Sequence, residues 1–261
     1  VKYAYNPADN DLVDFEVQLS YGEASNFVEN YTFTPSPFFD LSVFDADYIY
    51  EGVGLRAQNT ASFFGETFEN YLTFGAEYYL QDRITLRASP DNAAFQPEGT
   101  TKVFGIFAQN EFILNDRLTI LGGARLDFQT TAPGPLVPTT VETEETGAAA
   151  TLALHYQVTD TLAVFGSVSH TDRLPTVDEI YNSRAPVTGA DLVSTDQTPE
   201  VSRNFELGAS LSADNVFSSG DEVQIKGTVF QNNVSDLIAV SSLGAGNPTR
   251  VNIDEVSFTG L

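Results

Sequence analysis

The chain has 261 residues, long for one soluble domain and short for two. Its 12 Lys and Arg face 36 Asp and Glu, a formal net charge of −24, which excludes a generally basic surface and makes nucleic acid or a broad layer of anionic headgroups a poor partner. Cysteine and methionine are both absent, so disulfides, thiolate metal sites and cysteine nucleophiles are excluded, and a chain without an initiating Met is expected to be a section of a longer product.

Apolar and polar residues alternate with a period of two, the pattern of strands with one apolar and one polar face. Over 14–22, Phe15, Val17, Leu19 and Tyr21 alternate with Glu16, Gln18 and Ser20. A strand follows near 48–63, and over 72–80 Leu72, Phe74, Ala76 and Tyr78 alternate with Thr73, Gly75 and Glu77. Over 104–114, Phe104, Ile106 and Ala108 oppose Gly105, Phe107, Gln109 and Glu111. Over 118–128, Leu118, Ile120, Ala124 and Leu126 oppose Thr119, Arg125 and Asp127. Over 148–158, Leu152, Leu154 and Tyr156 oppose Thr151, His155 and Gln157. Further strands are predicted at 161–170, 203–212, 221–232 and 250–261, about ten in all.

Two features of these strands point to a membrane. They commonly run ten to twelve residues, against roughly 5–6 in globular proteins and about 9–11 for a tilted strand crossing a bilayer. Their polar faces carry Gly, Thr, Gln, Asn and Ser with isolated charges such as Arg56, Arg125 and Lys226, rather than the Lys and Glu of a water-facing sheet. Aromatics gather near strand ends, as in interfacial girdles. Leu72, Phe74, Ala76, Phe104, Ile106, Leu118, Ile120, Leu152 and Leu154 are therefore expected to face lipid. Thr73, Glu77, Gln109, Glu111, Arg125 and Asp127 are expected to face a lumen.

The connections alternate in length. Asn115-Asp116 and Thr159-Asp160 read as two-residue hairpin turns, since Asn and Asp tolerate positive φ, and the connection near 212–220 is only slightly longer. Between them lie long segments at 83–101, 129–146, 171–202 and 237–249. Such a rhythm places short turns in the periplasm and long loops outside the cell, where loops carry recognition. The fold class is all-β: an antiparallel transmembrane barrel, present as an open, incomplete arc of about ten long strands.

Several runs, in order, resemble TonB-dependent outer-membrane receptors. FGIFAQNE at 104–111, the Asn115-Asp116 turn and LGGARLDF at 121–128 resemble a hairpin of that family, and VGLRAQNT at 53–60 with LTFGAEYY at 72–79 resembles the hairpin before it. SVSHTDRLPTVDEIY at 167–181, TPEVSRNFELG at 198–208 and NIDEVSFTGL at 252–261 resemble later stretches. The resemblance implies a barrel of about 22 strands, a plug domain in its lumen and uptake energised by the TonB complex through that plug region. Residues 1–261 are then expected to be a middle section of the barrel, with plug and last strands outside it. The resemblance further implies a cell outer membrane location, contact with outer-membrane lipid, and a transported iron complex such as a siderophore or haem, carried as cargo and not as a resident cofactor. The element Asp172-Arg173-Leu174-Pro175 is similar to one in the haem and haemoglobin receptor branch, although no His lies between Pro175 and Pro199.

Four residues are candidates for ligand binding: His170, Arg173, Asp178 and Glu179. An imidazole at His170 could reach haem iron or a metal, or it could be an exposed group beside Asp172. The Arg173 fork could recognise an anionic chelate, or pin the loop base by a bidentate pair with Asp178 or Glu179. His155 lies near a short turn, away from the loops. Glu142, Glu144, Glu145, Asp191 and Asp196 match no calcium loop and read as solvated acids. No catalytic constellation and no metal site is found, so an enzyme is not expected. The rival readings are a passive porin and a non-transport β protein.

Overall fold

Eleven antiparallel strands follow one another in a single meander, each hydrogen-bonded to its neighbours in the chain. This computed structural model describes residues 1–31, 44–86, 96–183, 192–241 and 247–261. The strands are β1 (Lys2–Tyr5), β2 (Asp14–Tyr31), β3 (Phe44–Phe64), β4 (Phe68–Leu86), β5 (Gly99–Leu114), β6 (Leu118–Pro133), β7 (Thr143–Gln157), β8 (Leu162–Arg173), β9 (Glu200–Asp214), β10 (Glu222–Val240) and β11 (Arg250–Gly260). One short helix, α1 (Val177–Tyr181), lies between β8 and β9. Among the described residues β1 pairs only with β2 and β11 only with β10, so the sheet is an open arc.

Most strands are longer than their periodicity indicates, and most of the extra length lies at the long-loop end. β3 has 21 residues and β4 has 19. Pairing of Thr130 with Glu144 and Thr131 with Thr143 carries β6 and β7 into what reads as loop, leaving 134–142 as the connection. Polar residues satisfy a ladder as well as apolar ones do, so backbone pairing continues after the apolar alternation stops. β1 was also not expected, because four residues carry too little pattern.

All connections at one end are short or compact: 6–13, 65–67, 115–117, 158–161 and 215–221. All those at the other end, 32–43, 87–98, 134–142, 174–199 and 241–249, are nine residues or more. Asn115 and Asp116 take φ of 51° and 55°, the left-handed region their side chains tolerate. The turn they start holds three residues rather than two, since Leu114 pairs with Leu118.

The expected faces are present. Arg125 shares its row with Phe107 and Ala149, while Leu118 shares its row with Leu114 and Tyr156, and the odd spacing sets them on opposite faces. The apolar face carries Phe74, Phe104, Ile106, Leu126, Leu152, Leu154 and Leu207, each 42–53% exposed. No element among the described residues covers it, a span far beyond the apolar patches soluble proteins leave open. On the other face Arg125 joins Glu77 and Asp127, and Arg56 lies 4.8 Å above the Phe107 ring. The buried hydrophobic cluster is small: Val177, Ile180 and Tyr181 of α1, with Val137, against the polar face at the long-loop rim.

Candidate functional site at the long-loop rim

The site begins with one cross-strand pair. Arg173 ends β8 and Glu200 starts β9, directly opposite each other, and the Arg173 Nε donates to Glu200. Its two remaining nitrogens donate to both oxygens of Glu179 at 2.9 and 2.8 Å, a bidentate fork. Glu200 uses its second oxygen to accept from the Ile238 N–H at 2.7 Å. One guanidinium therefore ties β8, β9 and α1 together, and through Glu200 reaches β10.

Five residues cannot hold a helix in water by themselves, because nucleation costs more than so few hydrogen bonds return. Two devices hold α1. Thr176 and Glu179 form a capping box: Thr176 Oγ accepts from the Glu179 N–H at 3.3 Å and Glu179 accepts from the Thr176 N–H at 3.0 Å. Tyr181, fully buried, donates its hydroxyl towards the carbonyls of Thr131 at 2.7 Å and Val141 at 2.9 Å. Pro175 is buried at the start, and its carbonyl accepts from Gln129 Nε2 at 2.7 Å. Beyond the helix, the Ser194 N–H returns to the Ile180 carbonyl at 2.6 Å, and Ser194 Oγ accepts from the Arg250 N–H.

Asp178 faces away from this clamp. One oxygen lies 3.6 Å from Arg83 on β4 and the other 3.8 Å from Arg250 on β11. Arg83 also lies 5.1 Å above the Tyr50 ring. Strands so far apart in the sheet can meet one carboxylate only if the arc curves around it, so the polar face is concave and α1 lies inside it.

Burial acts to raise the Glu179 carboxyl. The Arg173 fork, the Thr176 N–H and the Arg173 charge outweigh burial and hold it below the usual carboxylate range. Burial pushes the Tyr181 phenol up to about 12, with a smaller contribution from the charge of Glu142.

The four sequence candidates divide. Arg173 and Glu179 meet, and Asp178 stands beside them with different partners. His170, an odd number of residues from Arg173 along β8, lies on the apolar, convex face, in a row with Ala150 and Arg203. Its Nε2 is 2.9 Å from Asp172 Oδ1. His170 and Arg173 therefore do not share a site. His155 sits on the polar face near the short-turn rim. Glu144 and Glu145 fall on opposite faces of β7, and Asp191 lies outside the described residues, as do the centres of 83–101, 171–202 and 237–249. Among the described residues no three His, Asp or Glu are arranged to hold a metal.

Arg83, Arg250, Glu200 and Tyr181 were not singled out from the sequence. The Thr176-to-Glu179 spacing was a readable helix signal. The two arginines had none, because only curvature brings them to α1.

The comparisons agree with this architecture. The family described as TonB dependent receptor-like, beta-barrel, matches residues 1–261. The chain belongs to the TonB-dependent receptor family. It is 24% identical over 221 residues to a hemin receptor of Yersinia pestis, covering 79% of this chain and 31% of that protein. It is 22% identical over 255 residues to TonB-dependent heme receptor A of Haemophilus ducreyi, covering 88% and 34%. The chain thus spans about a third of these relatives, which fall in the haem branch that the Arg173-Pro175 element resembles. The Serratia marcescens hemophore receptor HasR, solved with its hemophore HasA and heme, superposes with a TM-score of 0.82 at 18% identity, over 99% of this chain and 44% of that one. The ferric citrate transporter FecA gives 0.66 at 15%, over 99% and 37%. The all-β arc expected from the sequence is therefore a portion of a receptor barrel.

Proposed function

We propose that this chain is the loop-bearing wall of an outer-membrane receptor that imports haem, or another iron complex, with energy from the TonB complex delivered through a plug region. The observation that carries this reading is the match of the TonB dependent receptor-like, beta-barrel family over residues 1–261, on a wall whose α1 lies on the concave side, tied to Arg83 of β4, Arg173 of β8 and Arg250 of β11. A helix held by ion pairs to strands across the arc fits a preorganised recognition surface, and the family match is what favours a receptor over a passive pore. The names of the relatives, hemin and heme receptors, favour haem as cargo. The uncovered apolar face fits outer-membrane lipid. Arg173, Glu179 and Asp178 have the role of setting the shape of the loop that meets cargo, and His170 on the convex face has no part in it.

The test uses the complete receptor that contains this section, expressed in a bacterium that lacks other haem receptors and siderophore synthesis. With hemin as the only iron source, growth is expected in a TonB-competent strain and absent in a TonB-deficient one. Titration of purified receptor with hemin in detergent should show saturable Soret absorbance changes. Equal growth in both strains would establish a passive channel, and growth on ferric citrate but not hemin would move the cargo to a chelate.

A further inference from the structure

Three arginine-centred clusters face the concave side, and their charges do not balance alike. Arg125 meets Glu77 and Asp127, and Arg173 meets Glu179 and Glu200, so each of these guanidiniums is outnumbered by carboxylates lying 3.1 Å away or closer. The third cluster is the reverse. Arg83 and Arg250 share one carboxylate, Asp178, which leaves a formal excess of one positive charge. Their distances to it, 3.6 and 3.8 Å, are too long for a hydrogen bond, and neither guanidinium donates one to any other group among the described residues. The Arg83 side chain is only 13% exposed, so its donors are largely withdrawn from water and still lack acceptors.

Asp178 cannot close this gap. Its arm is a single methylene on α1, and the Arg173 fork and the capping box fix that helix. The Tyr50 ring, 5.1 Å from Arg83, holds the guanidinium in place from the strand side. A carboxylate on a longer, freely turning arm has no such tether, and between the two forks it accepts from both at about 2.8 Å. Asp178 is a third exposed, so the seat opens to the concave space, and its carboxylate yields by rotating about χ1 while the helix stays docked. We infer that Arg83 and Arg250 form the seat for a carboxylate of the imported iron complex, borne on a flexible arm as in the propionates of haem, and that Asp178 fills the seat between arrivals. The inference deepens the receptor reading above and rests on it. Asp178 is then a competitor for the two arginines, and its removal acts in the opposite direction to theirs.

The experiment titrates the complete receptor in detergent with hemin, which has two carboxylates, with hemin dimethyl ester, which has none, and with ferric citrate. The unaltered receptor is expected to bind the ester about tenfold more weakly than hemin. Arg83→Gln and Arg250→Gln should each weaken hemin about tenfold and leave the ester unchanged. Asp178→Asn should tighten hemin about threefold, because the competing charge is gone. Arg56→Gln removes a concave arginine nearer the short turns, engaged with Phe107 and Gln58, and should bind hemin as the unaltered receptor does. Equal binding of hemin and its ester by the unaltered receptor overturns the seat with no variant needed. So does an equal loss of hemin and ester in the arginine variants, which would make the arginines supports of the loop, or an equal loss in Arg56→Gln, which would show general charge attraction. Weaker hemin binding by Asp178→Asn would reduce its carboxylate to a strut and overturn the competition. If hemin fails to bind while ferric citrate binds and loses about tenfold in both arginine variants, the haem reading falls and the seat stands. If neither probe binds more weakly to the arginine variants than to the unaltered receptor, the seat falls.

Discussion

Arg83 on β4 and Arg250 on β11 have six strands between them, yet their guanidinium groups lie 3.6 and 3.8 Å from the two oxygens of one carboxylate, Asp178. The carboxylate works as a strut across the concavity. Both distances exceed a hydrogen bond, and Asp178 is a third exposed, so each pair contributes well under a buried ion pair. Asp178→Asn is expected to weaken docking of 174–199 by about 1 kcal/mol, roughly a fivefold rise in protease cutting of that connection, with unchanged barrel melting. A lowered barrel melting temperature would show that the strut supports the wall itself.

Arg173 is a different case, because two carboxylates depend on it. Arg173→Ala leaves Glu179 and Glu200 facing each other with little water, and is expected to cost about 2 kcal/mol, seen as faster hydrogen exchange in α1 and at the β8–β9 rim. Arg173→Lys should recover less than half, since an ammonium cannot serve three acceptors in a planar fork. If Arg173→Ala instead abolishes hemin binding with exchange rates unchanged, the guanidinium contacts cargo directly.

The clamp sets a pH response. Glu179 is held below its ordinary value of 4.5 in the folded chain, so its contribution is fully present above that value. It is lost as pH falls through the lower folded value. Pepsin cutting of 174–199 should therefore accelerate as pH falls below 4.5, beyond the protease's own profile. Glu179→Gln should already be cut faster at higher pH and should show no such step.

The face assignment has its own test. Ile106, midway along β5 on the convex face, is expected to cost about 2–4 kcal/mol when changed to Arg, measured by reversible folding of the complete barrel in bilayers. Gln109→Arg, three residues on and facing the lumen, should cost less than about 1 kcal/mol. Comparable costs would mean that the concave side is as dry as the convex one.

The arc was legible where chemistry alternates. Phe104 to Leu114 and Leu118 to Phe128 announce both their faces and the turn between them, since a period of two admits only one buried side. Strand ends were not legible, because Thr130, Thr131, Thr143 and Glu144 pair through backbone atoms that every residue shares. In the site, Arg173 and Glu179 are near in sequence and their pairing was foreseeable. Glu200, Arg83 and Arg250 reach α1 through register and curvature, and neither is written in local spacing. His170 shows the limit of proximity along a strand: three residues from Arg173, it faces the opposite side.

The meander has an evolutionary corollary. Since among the described residues each strand pairs only with its chain neighbours, a hairpin and its two ladders form a self-contained module. Adding or deleting such a module would change the circumference of the wall without rewiring any other pairing. A gap at 134–142 could lengthen with no change to the turn at 115–117, so the two rims can diversify at independent rates. The connection 174–199 is the exception. Because its helix is fastened to strands from both flanks of the arc, inserting a module between β4 and β11 would shift Arg83 relative to Arg250 and part the two arginines from the carboxylate they share.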